Sequence, residues 1–70
     1  MPRDGELTNR LREQRDALGW TQADLAERVG VSRKTINTIE NGVFVPSTIV
    51  ALRIARTLGM PVEALFLLAE

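Results

Sequence analysis

Apolar residues recur at helical spacing along most of this chain, in short bursts separated by the glycine, proline and hydroxyl residues that start and stop helices. The clearest burst runs from Thr21 to Gly42. Thr21 is a good N-cap, and Asp24 three residues later supplies an acidic variant of the capping box. Leu25, Ala26 and Val29 then form one narrow apolar stripe with Ala26 as its closest point of approach, while Gln22, Asp24, Glu27 and Arg28 turn to water. Gly30 can adopt the left-handed conformation that ends a helix, Val31 turns inward at the bend, and Ser32 caps again at once. The next helix, Arg33 to Glu40, has only Ile36 and Ile39 as apolar residues, and Asn41-Gly42 stops it.

The flanking pattern predicts three more helices, which makes the chain all-α. Helix 1 is expected over Thr8 to Leu18, with Leu7, Leu11 and Leu18 on one side, Gly19 at its end and Trp20 covering the core. Helix 4 follows Pro46 with Ser47 as cap and runs to Leu58, its stripe being Ala51, Ile54, Ala55 and Leu58, and Gly59 ends it. Helix 5 begins near Pro61 and carries Val62, Leu65, Phe66, Leu67 and Leu68. This last segment is apolar on more than one side. Leu65 and Phe66 suffice to close a core, so Leu67 and Leu68 are surplus apolar surface, and Leu65, Leu67 and Leu68 are the candidate dimer contacts.

The helix over residues 33 to 40 is not explained by packing. Two core contacts leave an outer face of Arg33, Lys34, Asn37 and Thr38. Arg and Lys donate to phosphates or to guanine O6 and N7, Asn pairs with adenine, and Thr offers both a hydroxyl and a methyl to thymine. These are the side chains of a major-groove reader.

Gln22, Leu25, Ala26, Gly30 and the run Ile39-Glu40-Asn41-Gly42 together resemble the helix-turn-helix of the phage repressor and Cro family, the XRE-like transcriptional regulators. The likeness continues through Leu11 to Arg15, Pro46-Ser47, Ile54 to Arg56 and Leu58-Gly59, and so covers Leu7 to Phe66. It implies a compact, five-helix, lambda-repressor-like DNA-binding domain whose helices 2 and 3 form the motif. It also implies that Ser32, Arg33, Lys34, Asn37 and Thr38 lie along the major groove, with Gln22 and Asn41 clamping phosphates on either side. Arg15 reads either as a solvated surface arginine or, as the resemblance implies, as a partly buried partner of Glu40. A two-fold homodimer that spaces its recognition helices one DNA turn apart, roughly 34 Å, is the arrangement expected of such a family. The loop Val43-Phe44-Val45 departs from the family, which more often places basic or polar residues there. Phe44 either folds back on the core or joins Ile49 in a second apolar patch.

Composition narrows the function. Seventy residues make one thin-cored domain with a stability of only about 3 to 5 kcal/mol unless oligomerisation adds to it. The chain has no cysteine and no histidine, which removes disulfides, thiolate sites and the commonest remaining metal ligand, and no cofactor is implied. No glycine-rich phosphate loop or paired acid and base calls for enzymatic chemistry. Nine basic and nine acidic residues cancel. Modest non-specific affinity is therefore expected, with discrimination carried by a few base contacts, a strong salt dependence and a need for two half-sites. Residues 1–5 read as a loose arm ahead of a domain over 6–70. The polar N-terminus shows no secretory signal and no apolar run approaches a bilayer span, so a cytoplasmic protein is expected. The expected function is that of a sequence-specific, double-stranded DNA-binding regulator, a repressor on a pseudo-palindromic operator. The alternative is a protein-interaction or antitoxin-like module that meets a protein partner through Val43, Phe44 and Val45, with DNA binding secondary.

Overall fold

In chain order, the computed structural model, which describes residues 7–69, contains β1 (Leu7–Asn9), α1 (Leu11–Ala17), α2 (Gln22–Val29), α3 (Arg33–Glu40), α4 (Thr48–Leu58), α5 (Val62–Leu65) and β2 (Phe66–Leu68). The arm expected over residues 1–5 lies outside the described residues.

Local chemistry sets the limits of the central helices. Thr21 caps α2 in a reciprocal box, its hydroxyl accepting from Asp24 N–H at 3.0 Å while its own N–H donates to the Asp24 carboxylate at 2.9 Å. Gly30 ends α2 with φ +89°, a left-handed conformation that a Cβ would strain. Ser32 caps α3 by accepting from Thr35 N–H at 3.1 Å, and Ser47 caps α4 by accepting from Val50 N–H at 3.2 Å.

The ends of the chain correct the all-α expectation. Among the described residues the fold is mostly helical, with five helices, but Leu7, Thr8 and Asn9 pair antiparallel with Leu68, Leu67 and Phe66 in a two-stranded sheet. Helix 1 therefore starts at Leu11 and not at Thr8, helped by the Asn9 side-chain oxygen, which accepts from Leu11 N–H at 3.1 Å. Helix 5 ends at Leu65, and Phe66 is extended at φ −113°, ψ 127°. A short apolar run such as residues 65–68 suits helix and strand alike until a pairing partner decides, and that partner is some 60 residues away in sequence. Leu18 also departs from expectation: it follows the last residue of α1 and is exposed.

The core gathers Leu11, Leu25, Ala26, Val29, Ile36, Ile39, Ile54, Ala55 and Leu65. Helix α2 packs on both α3 and α4, and Ala26 is among its buried residues. Trp20 covers one side, half-buried, with the Arg28 guanidinium 4.2 Å from its ring centroid. Ile36 and Ile39 are the only buried apolar anchors of α3, and Arg33 and Lys34 are left exposed.

Candidate nucleic-acid interface

Glu40 organises the surface around α3. Its side chain is fully covered although it sits at the end of a helix with a polar outer face. Arg15 donates to it from Nε at 2.7 Å and from Nη2 at 3.1 Å, a bidentate fork that also places Nη1 2.8 Å from the Trp20 carbonyl. Gln22 Nε2 donates to Glu40 Oε1 at 3.1 Å and Arg12 Nε donates to the same oxygen at 3.3 Å. One buried carboxylate thus joins α1, the start of α2 and the end of α3.

From that hub the hydrogen bonds run outward. Gln22 Nε2 also donates to Asn37 Oδ1 at 3.2 Å, and Asn41 Nδ2 donates to the same oxygen at 3.2 Å. Arg12 Nη2 donates to Asn41 Oδ1 at 2.9 Å, and Arg33 Nη1 reaches Gln22 Oε1 at 3.4 Å. The structure therefore brings Gln22, Arg33, Asn37 and Asn41 into one connected polar surface. Lys34 is exposed on the adjoining face, and Thr38 lies beside it, its hydroxyl donating back to the Lys34 and Thr35 carbonyls, 3.0 Å from each. Ser32 is at the helix start with its hydroxyl occupied by capping and by Thr35 Oγ1 at 2.9 Å.

Two members of this surface have no clear signal in the sequence. Arg12 reads as an ordinary exposed arginine, and only its position one turn before Arg15 hints at a shared face. Asn9 donates from Nδ2 to the Ile39 carbonyl at 2.9 Å, tying β1 to the end of α3. Of the residues expected at a dimer contact, Leu67 and Leu68 are exposed, but Leu65 is fully buried and cannot present a surface. In the loop, Val43 and Val45 are exposed and Phe44 is about half exposed, so it does not fold fully into the core.

Electrostatics favour an anion at this face despite the neutral total. Burial pushes the Glu40 carboxyl up, but the hydrogen bonds from Arg15 and Gln22, the Arg15 charge and the bond from Arg12 outweigh it and hold the group below its ordinary 4.5. The Arg15 guanidinium is held protonated more firmly than usual by the same pair. The only carboxylate on α3 is thus neutralised inside the fold, leaving Arg33 and Lys34 facing out near the helix N-terminus, where the backbone dipole also attracts phosphate.

The direction of the Glu40 shift has a consequence for stability. A carboxyl that is more acidic folded than unfolded contributes stability above its unfolded pKa and loses it as pH falls through the folded one. Thermal stability is expected to hold near neutrality and to fall as acid carries the protein below the ordinary 4.5 of Glu40. Asp24, held low by the Thr21 N–H and hydroxyl, adds to the same fall. In Glu40→Gln the slope should be shallower and the neutral-pH stability lower. Melting curves between about pH 7 and pH 3 check this, and parallel profiles for the two proteins would contradict it.

Among the described residues no cluster of carboxylates could hold a metal ion, and no helix is long and apolar enough to cross a membrane.

Comparison with known proteins identifies the family and the fold. The helix-turn-helix family matches over residues 11–65. An HTH-type transcriptional regulator of Methanothermobacter thermautotrophicus is 54% identical over 61 residues, spanning 86% of this chain and 88% of that protein. The HTH-type transcriptional regulator YgzD of Bacillus subtilis is 41% identical over 64 residues, 91% of this chain and 97% of its own. Among solved structures, the restriction-modification controller protein C.AhdI from Aeromonas hydrophila superposes with a TM-score of 0.74 at 33% identity, covering 79% of this chain and 83% of that one.

Proposed function

The chain belongs to the XRE-like helix-turn-helix family of DNA-binding transcriptional regulators, the phage repressor and Cro type, and from that premise we propose that it is a repressor that binds a pseudo-palindromic operator as a homodimer. In this reading α2 and α3 are the two helices of the motif and α3 enters the major groove. Arg33 and Lys34 address base edges, Asn37 and Thr38 extend the reading, Ser32 sets the start of the helix against the backbone, and Gln22 and Asn41 hold phosphates. The protein acts in the cytoplasm on double-stranded DNA.

The observation that carries the proposal is the Glu40 network. It spends a buried ion pair on orienting a helix with only two core anchors, and it holds the Gln22, Asn37 and Asn41 amides in place before any ligand arrives. Such preorganisation lowers the ordering cost of binding a polar surface. Selection from a random duplex pool tests the proposal: a pseudo-palindrome with half-site centres about one helical turn apart is expected, and failure to enrich any sequence would contradict it.

The homodimer is proposed to form on Leu67 and Leu68, with Leu65 supporting them from the core. Leu7, which pairs with Leu68, lines a hollow of about 240 Å³ with Pro46, Leu52, Val62 and Phe66, so the apolar surface runs on beyond the strand. Leu68→Glu should leave the fold intact, because Leu68 is largely exposed, while shifting sedimentation at tens of micromolar from dimer to monomer and weakening operator binding. Unchanged sedimentation of this variant would move the interface elsewhere. A second reading, a protein partner seated on Val43, Phe44 and Val45, is favoured by the exposure of that loop alone.

A further inference from the structure

Beside the polar half of the α3 surface lies an apolar one. A shallow hollow of about 310 Å³ is lined by Lys34, Thr35, Thr38, Val43 and Phe44. The loop side of it is fixed to the helix, because Val43 N–H and Phe44 N–H both donate to the Thr38 carbonyl, at 3.0 and 3.2 Å. The last turn of α3 and the start of the loop that follows it are therefore joined by two backbone hydrogen bonds. Thr38 contributes to this hollow in a particular way. Its single hydroxyl proton is directed back to the Lys34 and Thr35 carbonyls, which leaves the γ-methyl as the branch free to project from the helix. Val43 is the most exposed large apolar side chain of the described residues at 77%, so the hollow is open to whatever meets α3.

An apolar hollow at the margin of a cationic, amide-rich face needs an occupant that is apolar in one place and anionic around it. Lys34 on its rim supplies the charge complement for the anionic part. Duplex DNA has one such feature in the major groove, the C5-methyl of thymine, which no other base presents. We infer that the hollow formed by Thr38, Val43 and Phe44 reads a thymine methyl at the edge of each half-site. The inference rests on the proposed entry of α3 into the major groove and adds a specificity element made of carbon to the polar set.

Deoxyuridine removes that methyl and changes nothing else on the base edge. The test measures anisotropy binding of the selected duplex with each thymine pair, one in each half-site, replaced in turn by deoxyuridine. It uses wild type, Thr38→Ser, which keeps the hydroxyl and loses only the methyl, and Val43→Ser. One replaced pair is expected to weaken wild-type binding about fourfold per methyl, about fifteenfold for the two, which is the scale of burying one methyl-sized group at each site. In Thr38→Ser or Val43→Ser the same replacement should cost little, with circular dichroism unchanged. Specific wild-type binding that is indifferent to every replacement, or a penalty that stays the same size in both variants, would overturn the inference and leave the proposed function standing. Absence of any selected duplex would overturn both.

Discussion

Replacing Glu40 with alanine is expected to destabilise the domain by about 2 to 4 kcal/mol, the scale of removing one partner from a buried, hydrogen-bonded ion pair. The Glu40 side chain is wholly covered and Arg15 is 11% exposed, so removing the carboxylate strands a guanidinium that has only the Trp20 carbonyl and the exposed Asp16 left to satisfy it. In a domain of this size, whose stability is itself only about 3 to 5 kcal/mol, that change brings the midpoint near or below ambient temperature. Arg15→Ala should act in the same direction by a smaller amount, because Gln22 and Arg12 still donate to Glu40. Arg12, also bonded to Glu40, is a poor reference for an inert surface arginine, and exposed Arg53 on α4 is a better one. Urea unfolding of Glu40→Ala, Arg15→Ala and Arg53→Ala gives the ranking. Equal midpoints for all three would show that the pair orients nothing.

The second large effect is on binding and not on stability. Arg33→Ala with Lys34→Ala should reduce affinity for the selected operator by about 3 kcal/mol, more than a hundredfold, each side chain accounting for about 1 to 3 kcal/mol of base or phosphate contact. Both residues are exposed, and the single bond between Arg33 and Gln22 is long at 3.4 Å, so the melting temperature should barely move. The salt dependence separates their roles. Loss of a phosphate contact lowers the slope of log affinity against log salt by about one, whereas loss of a base contact relaxes discrimination between operator and scrambled duplex. The paired change Arg53→Ala with Arg56→Ala removes the same charge from α4 and should have a much smaller effect. Equal losses from both double variants would mean that charge alone, without a reading helix, accounts for binding.

How much of this was legible in the sequence depends on whether the deciding interaction was local. The limits of α2 and α3 are set by residues within a few positions, the Thr21–Asp24 box, Gly30, Ser32 and Asn41, and those are visible in one dimension. The start of α1 and the end of α5 are not visible in this way, because Leu7 to Asn9 and Phe66 to Leu68 have no strong intrinsic preference, and each segment is extended by pairing with the other. The same distinction holds at the candidate interface. The outer face of α3 stood out as a set of polar residues with no role in packing. The bonds of Arg12 and Asn9 to the end of α3 span 28 to 30 residues, and no periodicity marks them. Leu65 illustrates the reverse failure, since helical spacing groups it with Leu68, yet the switch to a strand at Phe66 leaves Leu65 in the core and Leu68 outside.

The stability and binding predictions meet at one point. The Glu40 network holds α3 in the orientation in which its outer side chains can be used, so damage to the hub should weaken binding by a route different from damage to Arg33 and Lys34. Glu40→Gln, folded at low temperature, is expected to bind more weakly with an unchanged salt slope, because the cationic groups remain but their helix is less firmly held.

The central claim is that α3 is the surface that meets DNA, and amide chemical shifts recorded during titration with the selected duplex test it most directly. Perturbations concentrated at Gln22 and from Ser32 to Asn41, extending into Val43 and Phe44, are the predicted result. A titration that saturates with those amides unmoved, and with the shifts confined to the outer face of α4 or to Leu67 and Leu68, would contradict it.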